Sequence, residues 1–203
     1  LCSSGMALLK AYDDIKYGRI ESAVVIGAEY IDPYLMEQYS IMNYRNDNIY
    51  SCGSSLLLST HPNIETNKIK GYLLNCESSG IYLDPNRPDY IAFKKTIKNT
   101  VQHTLDTNCM IMKDIDFIIY TKTYNNDIDG CFENVLNDFK SSESFCITDI
   151  LGNTLGVNPL LSVLASLSIM QDKKQDHMQR IMTITFGITG QVWAAILENK
   201  ASG

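Results

Sequence analysis

The first thirty residues, LCSSGMALLKAYDDIKYGRIESAVVIGAEY, constrain the fold more than any other stretch. Cys2, Ser3, Ser4 and Gly5 open a run in which Met6, Leu9, Tyr12 and Ile15 recur every three residues, with Ala7, Leu8 and Ala11 between them. That spacing predicts a helix from Ser3 to Tyr17 with a broad apolar face, closed by Gly18. Ala23 to Gly27, an uninterrupted AVVIG, then reads as a strand buried on both faces, of the kind that follows a helix in a βαβ unit. Cys2 falls on the first helical turn, where free backbone N–H groups and the positive end of the helix dipole favour a thiolate. A small apolar cysteine packed under a core helix is the competing reading of the same position.

Downstream, strand and helix patterns alternate. Ile49 to Thr60 reads as a glycine-broken turn and a strand, and Ile69 to Cys76 as a second strand reached through the turn His61 to Lys68, giving a hairpin or an adjacent pair. Glu77 to Asp89, with Pro85 and Pro88, is a surface loop. From Tyr90 to Asn108 the residues Ile91, Phe93, Ile97, Val101 and Leu105 recur about once a turn, with Lys94, Lys95 and Lys98 on the solvated side, which predicts a helix. Ile115 to Tyr120 is a buried strand, Phe145 to Thr148 a short one, Leu160 to Met170 an apolar helix, and Ile181 to Glu198 a strand, glycine turn and strand. The alternation predicts an α/β fold with a largely parallel sheet. Ile31 to Asn48 is too rich in Tyr and Met for a solvated linker; it reads as a loop with a short helix at a subunit interface or over a pocket, or as local core.

With 203 residues, 45% of them hydrophobic and 20% charged, the chain can bury one substantial core or two small ones. A net charge of −6 excludes nucleic acid or an anionic membrane surface as the main partner. No apolar run approaches the roughly 20 residues that a membrane span needs, and no charged region followed by an apolar one opens the chain, so it reads as soluble and cytoplasmic. The six cysteines, at 2, 52, 76, 109, 131 and 146, form no CxxC or Cys/His cluster. That speaks against a metal site and against a disulfide framework, and leaves reduced thiols as the expectation.

Cys2-Ser3-Ser4-Gly5, the helix after it, the turn Lys16-Tyr17-Gly18 and Val24 to Glu29 together resemble the nucleophile segment of the thiolase-fold condensing enzymes, the β-ketoacyl synthases. The order and spacing of Cys2, Asn153 and Phe186 are similar to those of the type III synthases. The resemblance implies a layered αβαβα fold and a Cys2 that carries an acyl chain as a thioester. Gly152-Asn153-Thr154 resembles the turn whose asparagine amide donates to the enolate or carbonyl oxygen; on the residues alone, Asn153 equally suits a left-handed turn that caps a helix. Phe186 to Gly190 resembles the Phe-Gly-x-Gly-Gly segment. This implies an oxyanion hole made by the backbone N–H groups of Cys2 and Ile188, with Phe186, Gly187 and Gly190 shaping the turn.

The chain departs from the family in two places. Ser51 to Ser55 stands where the family has Gly-Asp-Gly-Ala-Gly, and only Gly53 matches. Thr121, followed by Lys122 and Thr123, takes the place of the histidine that helps type III synthases to decarboxylate malonyl partners. His61, His103 and His177 read as surface or edge residues, and Lys122 is a candidate cation near a thioester carbonyl. The expectation is therefore acyl transfer, or condensation with an already activated nucleophile, in fatty-acid-like or polyketide-like specialised metabolism. Acyl-CoA or acyl-carrier protein is the substrate, and no bound cofactor or metal is needed. The alternative is a catalytically degenerate subunit that stabilises or shapes an active partner. Residues 1–68 then read as the end of the first thiolase-fold half and 69–203 as the second half. A second polypeptide is expected to supply the missing part, in a dimeric or heteromeric assembly, since an incomplete sheet leaves open edges.

Overall fold

The computed structural model describes residues 2–32, 34, 49–60, 70–84, 87–139, 143–172 and 178–199. Helix α1 (Ser3–Lys16) and strand β1 (Ser22–Glu29) follow one another as the sequence predicts. Cys2 is the N-cap residue, its carbonyl accepting the Met6 N–H at 3.0 Å. Gly18 leaves the helix at φ 68°, a left-handed conformation that glycine adopts without strain. The buried stripe of α1 is Ser4, Gly5, Leu8 and Ala11, rotated from the Met6, Leu9, Tyr12 and Ile15 stripe that periodicity selects. Close approach decides the rotation: a Cβ on Gly5 would lie 2.9 Å from the indole ring of Trp193.

β1 pairs antiparallel with β2 (Cys52–Ser59) in a two-stranded sheet. The other strands are β3 (Tyr72–Gly80), β4 (Phe117–Tyr120), β5 (Glu143–Cys146), β6 (Arg180–Phe186) and β7 (Gln191–Glu198). The helices among them are α2 (Tyr90–Asp106), α3 (Asn126–Asp138), α4 (Thr148–Leu151) and α5 (Asn158–Asp172). The five strands form one sheet in the order β3-β7-β6-β4-β5. β4 runs parallel to β5 and β6, while β7 is antiparallel to β6 and β3, so four strands share a direction. The sheet is mixed where a largely parallel one was expected, because two of its four pairings, β3 with β7 and β7 with β6, are antiparallel. The expected pairing of the strand after Ile49 with the strand after Ile69 does not occur: β2 takes β1 as its partner and β3 takes β7, from Tyr72 opposite Glu198 to Gly80 opposite Gln191.

The five-stranded sheet is covered on both faces. On one, Phe93, Ile97 and Val101 of α2 and Ile128, Phe132 and Val135 of α3 pack on Met182, Ile184 and Phe186. On the other, Leu8 of α1 and Leu160 and Val163 of α5 pack on Ile181, Trp193 and Ala195. β1 and β2 lie beyond α1 and α5. Gly27 allows that approach, since a Cβ there would lie 3.3 Å from both Ser4 and Val157. The layers therefore run helix, sheet, helix, sheet, an incomplete form of the αβαβα arrangement. The outer face of the two-stranded sheet corrects one expectation. Val24, Ile26 and Leu57 share that face and are 63%, 70% and 63% exposed. β1 is thus buried on one side only, because no described element covers the other.

Candidate active site

Three segments far apart in the chain meet at one end of β6. Cys2, at the head of α1, is 5% exposed, and its Sγ lies 3.9 Å from Thr185 Oγ1. The neighbouring Ser3 hydroxyl donates to the Gly156 carbonyl at 3.4 Å, which ties the head of α1 to the turn after Asn153. Glu29, at the end of β1, accepts the Gly156 N–H at 3.3 Å from the other side. The approach is close, since a Cβ on Gly156 would displace the Ser3 hydroxyl and the Glu29 carboxylate.

Asn153, Thr123, Leu155 and Asn158 line a cleft of about 10 Å³ with Phe186, Gly187 and Ile188. That is room for about one water-sized atom. Asn153 Oδ1 accepts from the Leu155 N–H at 2.9 Å and from Asn158 Nδ2 at 2.8 Å, so its oxygen is committed and its amide N–H₂ is the end left to donate. The left-handed residues of this turn are Gly152 and Leu155, not Asn153. Asn158, the first residue of α5, completes the arrangement by accepting both the Thr154 N–H and hydroxyl. At the β6–β7 turn, Gly190 takes φ 90° and Gly187 donates its N–H to Gln191. Among the described residues no group accepts the Ile188 N–H. The Ile188 side chain turns towards Ile49 and Leu155.

Thr121 is fully buried just beyond β4, and its hydroxyl has no hydrogen-bond partner. Thr123, two residues on, donates its N–H and hydroxyl to Asp129 Oδ1 at 2.8 and 3.0 Å. Lys122 points elsewhere: its Nζ lies 3.3 Å from Asp149, and it lines a separate surface cavity of about 450 Å³ with Tyr124, Asp129 and Glu133. His103 is exposed beside Glu77, and His61 and His177 lie outside the described residues, as does most of Ile31 to Asn48.

Two aspects of the thiol differ from expectation. Burial pushes the Cys2 thiol above its ordinary range, with the Thr185 hydroxyl pulling partly back. Sequence reasoning also passed over Thr185, although Thr183 and Thr185 alternate within an apolar strand, which is the signal of hydroxyls aimed at one face.

The order of layers, helix, sheet, helix, sheet, is an incomplete form of the thiolase-like fold that solved ketosynthases share. No family model and no curated protein matches the sequence. Solved structures do match. The chain aligns over its whole length with an oxazolomycin ketosynthase domain from Streptomyces albus JA3453, at 12% identity and a TM-score of 0.83, covering 46% of that chain. It aligns over 98% of its length with a β-ketoacyl synthase from Burkholderia phymatum STM815, at 13% identity and 0.75, covering 60%. With the keto synthase and chain length factor PfaC the figures are 99%, 9% identity, 0.77 and 22% coverage. At these identities the likeness is one of fold, and the chain spans less than two thirds of each of these proteins.

Proposed function

We propose that this chain is a ketosynthase-like acyltransferase or condensing enzyme that carries an acyl group on Cys2. The observation that supports this most is the gathering of Cys2, the Asn153 turn and the Phe186–Gly190 turn at one end of β6, although they come from opposite ends of the sequence. Deprotonated Cys2 Sγ attacks the carbonyl carbon of an acyl thioester, from acyl-CoA or an acyl-carrier protein. An S–C bond forms, the bond to the pantetheine sulfur breaks, and the departing thiolate takes up the proton that Cys2 lost. The N–H groups of Cys2 and Ile188 receive the oxyanion, and the Asn153 amide polarises the carbonyl of the second substrate. Thr121 offers a neutral hydroxyl where a histidine would offer a cation, so decarboxylation is slow and the acyl group passes to an already activated nucleophile. No bound cofactor takes part. The uncovered face at Val24, Ile26 and Leu57 is the seat of a second polypeptide, in a dimeric or heteromeric assembly that works in the cytoplasm.

A second reading has its own support. Burial of Cys2 disfavours the thiolate, and one matching structure is described as a keto synthase–chain length factor. On that reading the chain is a degenerate subunit that shapes an active partner. Incubating the native assembly with acyl-CoA donors of graded chain length and recording intact mass separates the two. An acyl adduct that disappears in Cys2→Ala is the expected result, and no adduct at any chain length overturns the enzyme reading in favour of the subunit.

A further inference from the structure

A row of residues crosses the five-stranded sheet beneath the head of α1. Thr185 on β6 pairs with Trp193 on β7, and Trp193 pairs with Ser78 on β3. The parallel register of β4 and β6, with Tyr120 beside Ile184, brings Thr121 next to Thr185 in the following rung. Residues paired across a ladder share a face of the sheet. This is the face on which α1 rests, because Trp193 lies against Gly5. Thr121 and Thr185 are both fully buried, yet only Thr185 has a partner for its hydroxyl, and that partner is the Cys2 sulfur. Among the described residues the neighbouring Thr121, Thr183 and Trp193 polar atoms have none.

A buried hydroxyl without a partner costs about 1 to 3 kcal/mol, and of the two buried threonines of β6 only Thr185 has one among the described residues, Thr183 having none. Among the described residues the Cys2 sulfur, 3.9 Å away, is the polar neighbour that the Thr185 hydroxyl reaches.

We propose that Thr185 is the positioning residue for the nucleophile, its hydroxyl donating a hydrogen bond to Cys2 Sγ and fixing the sulfur over the end of β6. The backbone N–H groups at the α1 head and this hydroxyl are then the donors that offset burial and keep a usable fraction of thiolate. The inference deepens the acyl-thioester reading and rests on it for its consequence, while the hydrogen bond itself can be tested without any acyl donor.

The measurement is the pH dependence of Cys2 alkylation by iodoacetamide in the native assembly, with peptides resolved by mass so that the other five cysteines are read separately. Thr185→Val keeps the shape and removes the donor; Thr185→Ser keeps the donor; Thr185→Ala is a second donor-free variant should valine not fold. Hydrogen bonds to charged groups are worth enough that the donor-free variants should alkylate about tenfold more slowly at mildly alkaline pH, with the midpoint moved upward. Serine should restore the original profile. Valine and alanine profiles that superimpose on the original, or a serine profile displaced as far as theirs, overturn the proposal. Acyl loading recorded in parallel keeps the two claims apart. A displaced profile with no adduct even in the unaltered protein defeats the acyl reading alone, and an unchanged profile with normal loading defeats the role of Thr185 alone.

Discussion

Strand β6 is buried at every position from Ile181 to Phe186, whereas β1 alternates, with Val25 and Gly27 buried and Val24 and Ile26 mostly exposed. Both strands are apolar, so composition does not separate them. What differs is their surroundings. β6 has a strand on each edge, β7 and β4, and helices against each face. β1 has β2 on one edge and α1 on one face. The five-stranded sheet therefore sits inside a core closed on both faces, one of them by α1. The two-stranded sheet is a platform that fixes the head of α1, and with it Cys2, while no described element covers its own outer surface.

The contrast predicts unequal costs for equal truncations. Phe132 of α3 lies 5.1 Å from the Tyr120 ring and 4.9 Å from the Phe186 ring and is almost wholly buried. Phe132→Ala should cost about 3 to 5 kcal/mol in urea unfolding of the chain. Leu57→Ala, on the open face of β2, should cost well under about 1 kcal/mol. Equal losses would show that the outer face is covered within the chain itself, and would break the comparison.

A change of sign should follow when assembly is measured instead of stability. Replacing Val24, Ile26 and Leu57 together by serine leaves the inner face at Val25, Leu56 and Leu58 intact. Each replacement should shift chain stability by no more than about 0.5 kcal/mol. The mass of the native particle by light scattering should nevertheless fall to that of the single chain, because contiguous exposed apolar surface marks an interaction site. An unchanged particle mass would move the interface elsewhere.

The halves were also unequally legible in the sequence. Strong local patterns carried α2, β6 and β7. The helix α3 went unread: Asn125 caps it by accepting from Asp127 and Ile128, but Asp and Asn fill its outer face and Gly130 interrupts its pattern, so the stripe of Ile128, Phe132 and Val135 is short. The AVVIG run of β1 predicts burial on two faces, yet pattern alone cannot say whether the second cover belongs to the same chain. The α1 stripe was misplaced because Ser4 and Gly5 are small, and close packing on Trp193 leaves no hydrophobic signature. Thr185 was passed over for a similar reason, since its meaning depends on which strand lies under which helix.

The closed core also holds an unfavourable carboxylate, where it borders the site. Asp129 is buried in α3, and burial raises its carboxyl above the ordinary range while the Thr123 N–H and hydroxyl pull it back. A carboxyl raised in the folded state binds its proton more tightly there than in the unfolded chain. Stability therefore falls as pH rises from the ordinary carboxylate range through the folded value, and the penalty is fully present at neutral pH. Asp129→Asn can accept both Thr123 bonds at Oδ1 and turn its Nδ2 towards the surface cavity that Asp129 already lines. The variant should gain on the original protein as pH is raised from 4 to 7.5 in thermal melts, by a smaller margin than either change above. A difference that is flat across this range, or that grows towards acid, would mean that the carboxylate earns its place by holding Thr123 at the cleft.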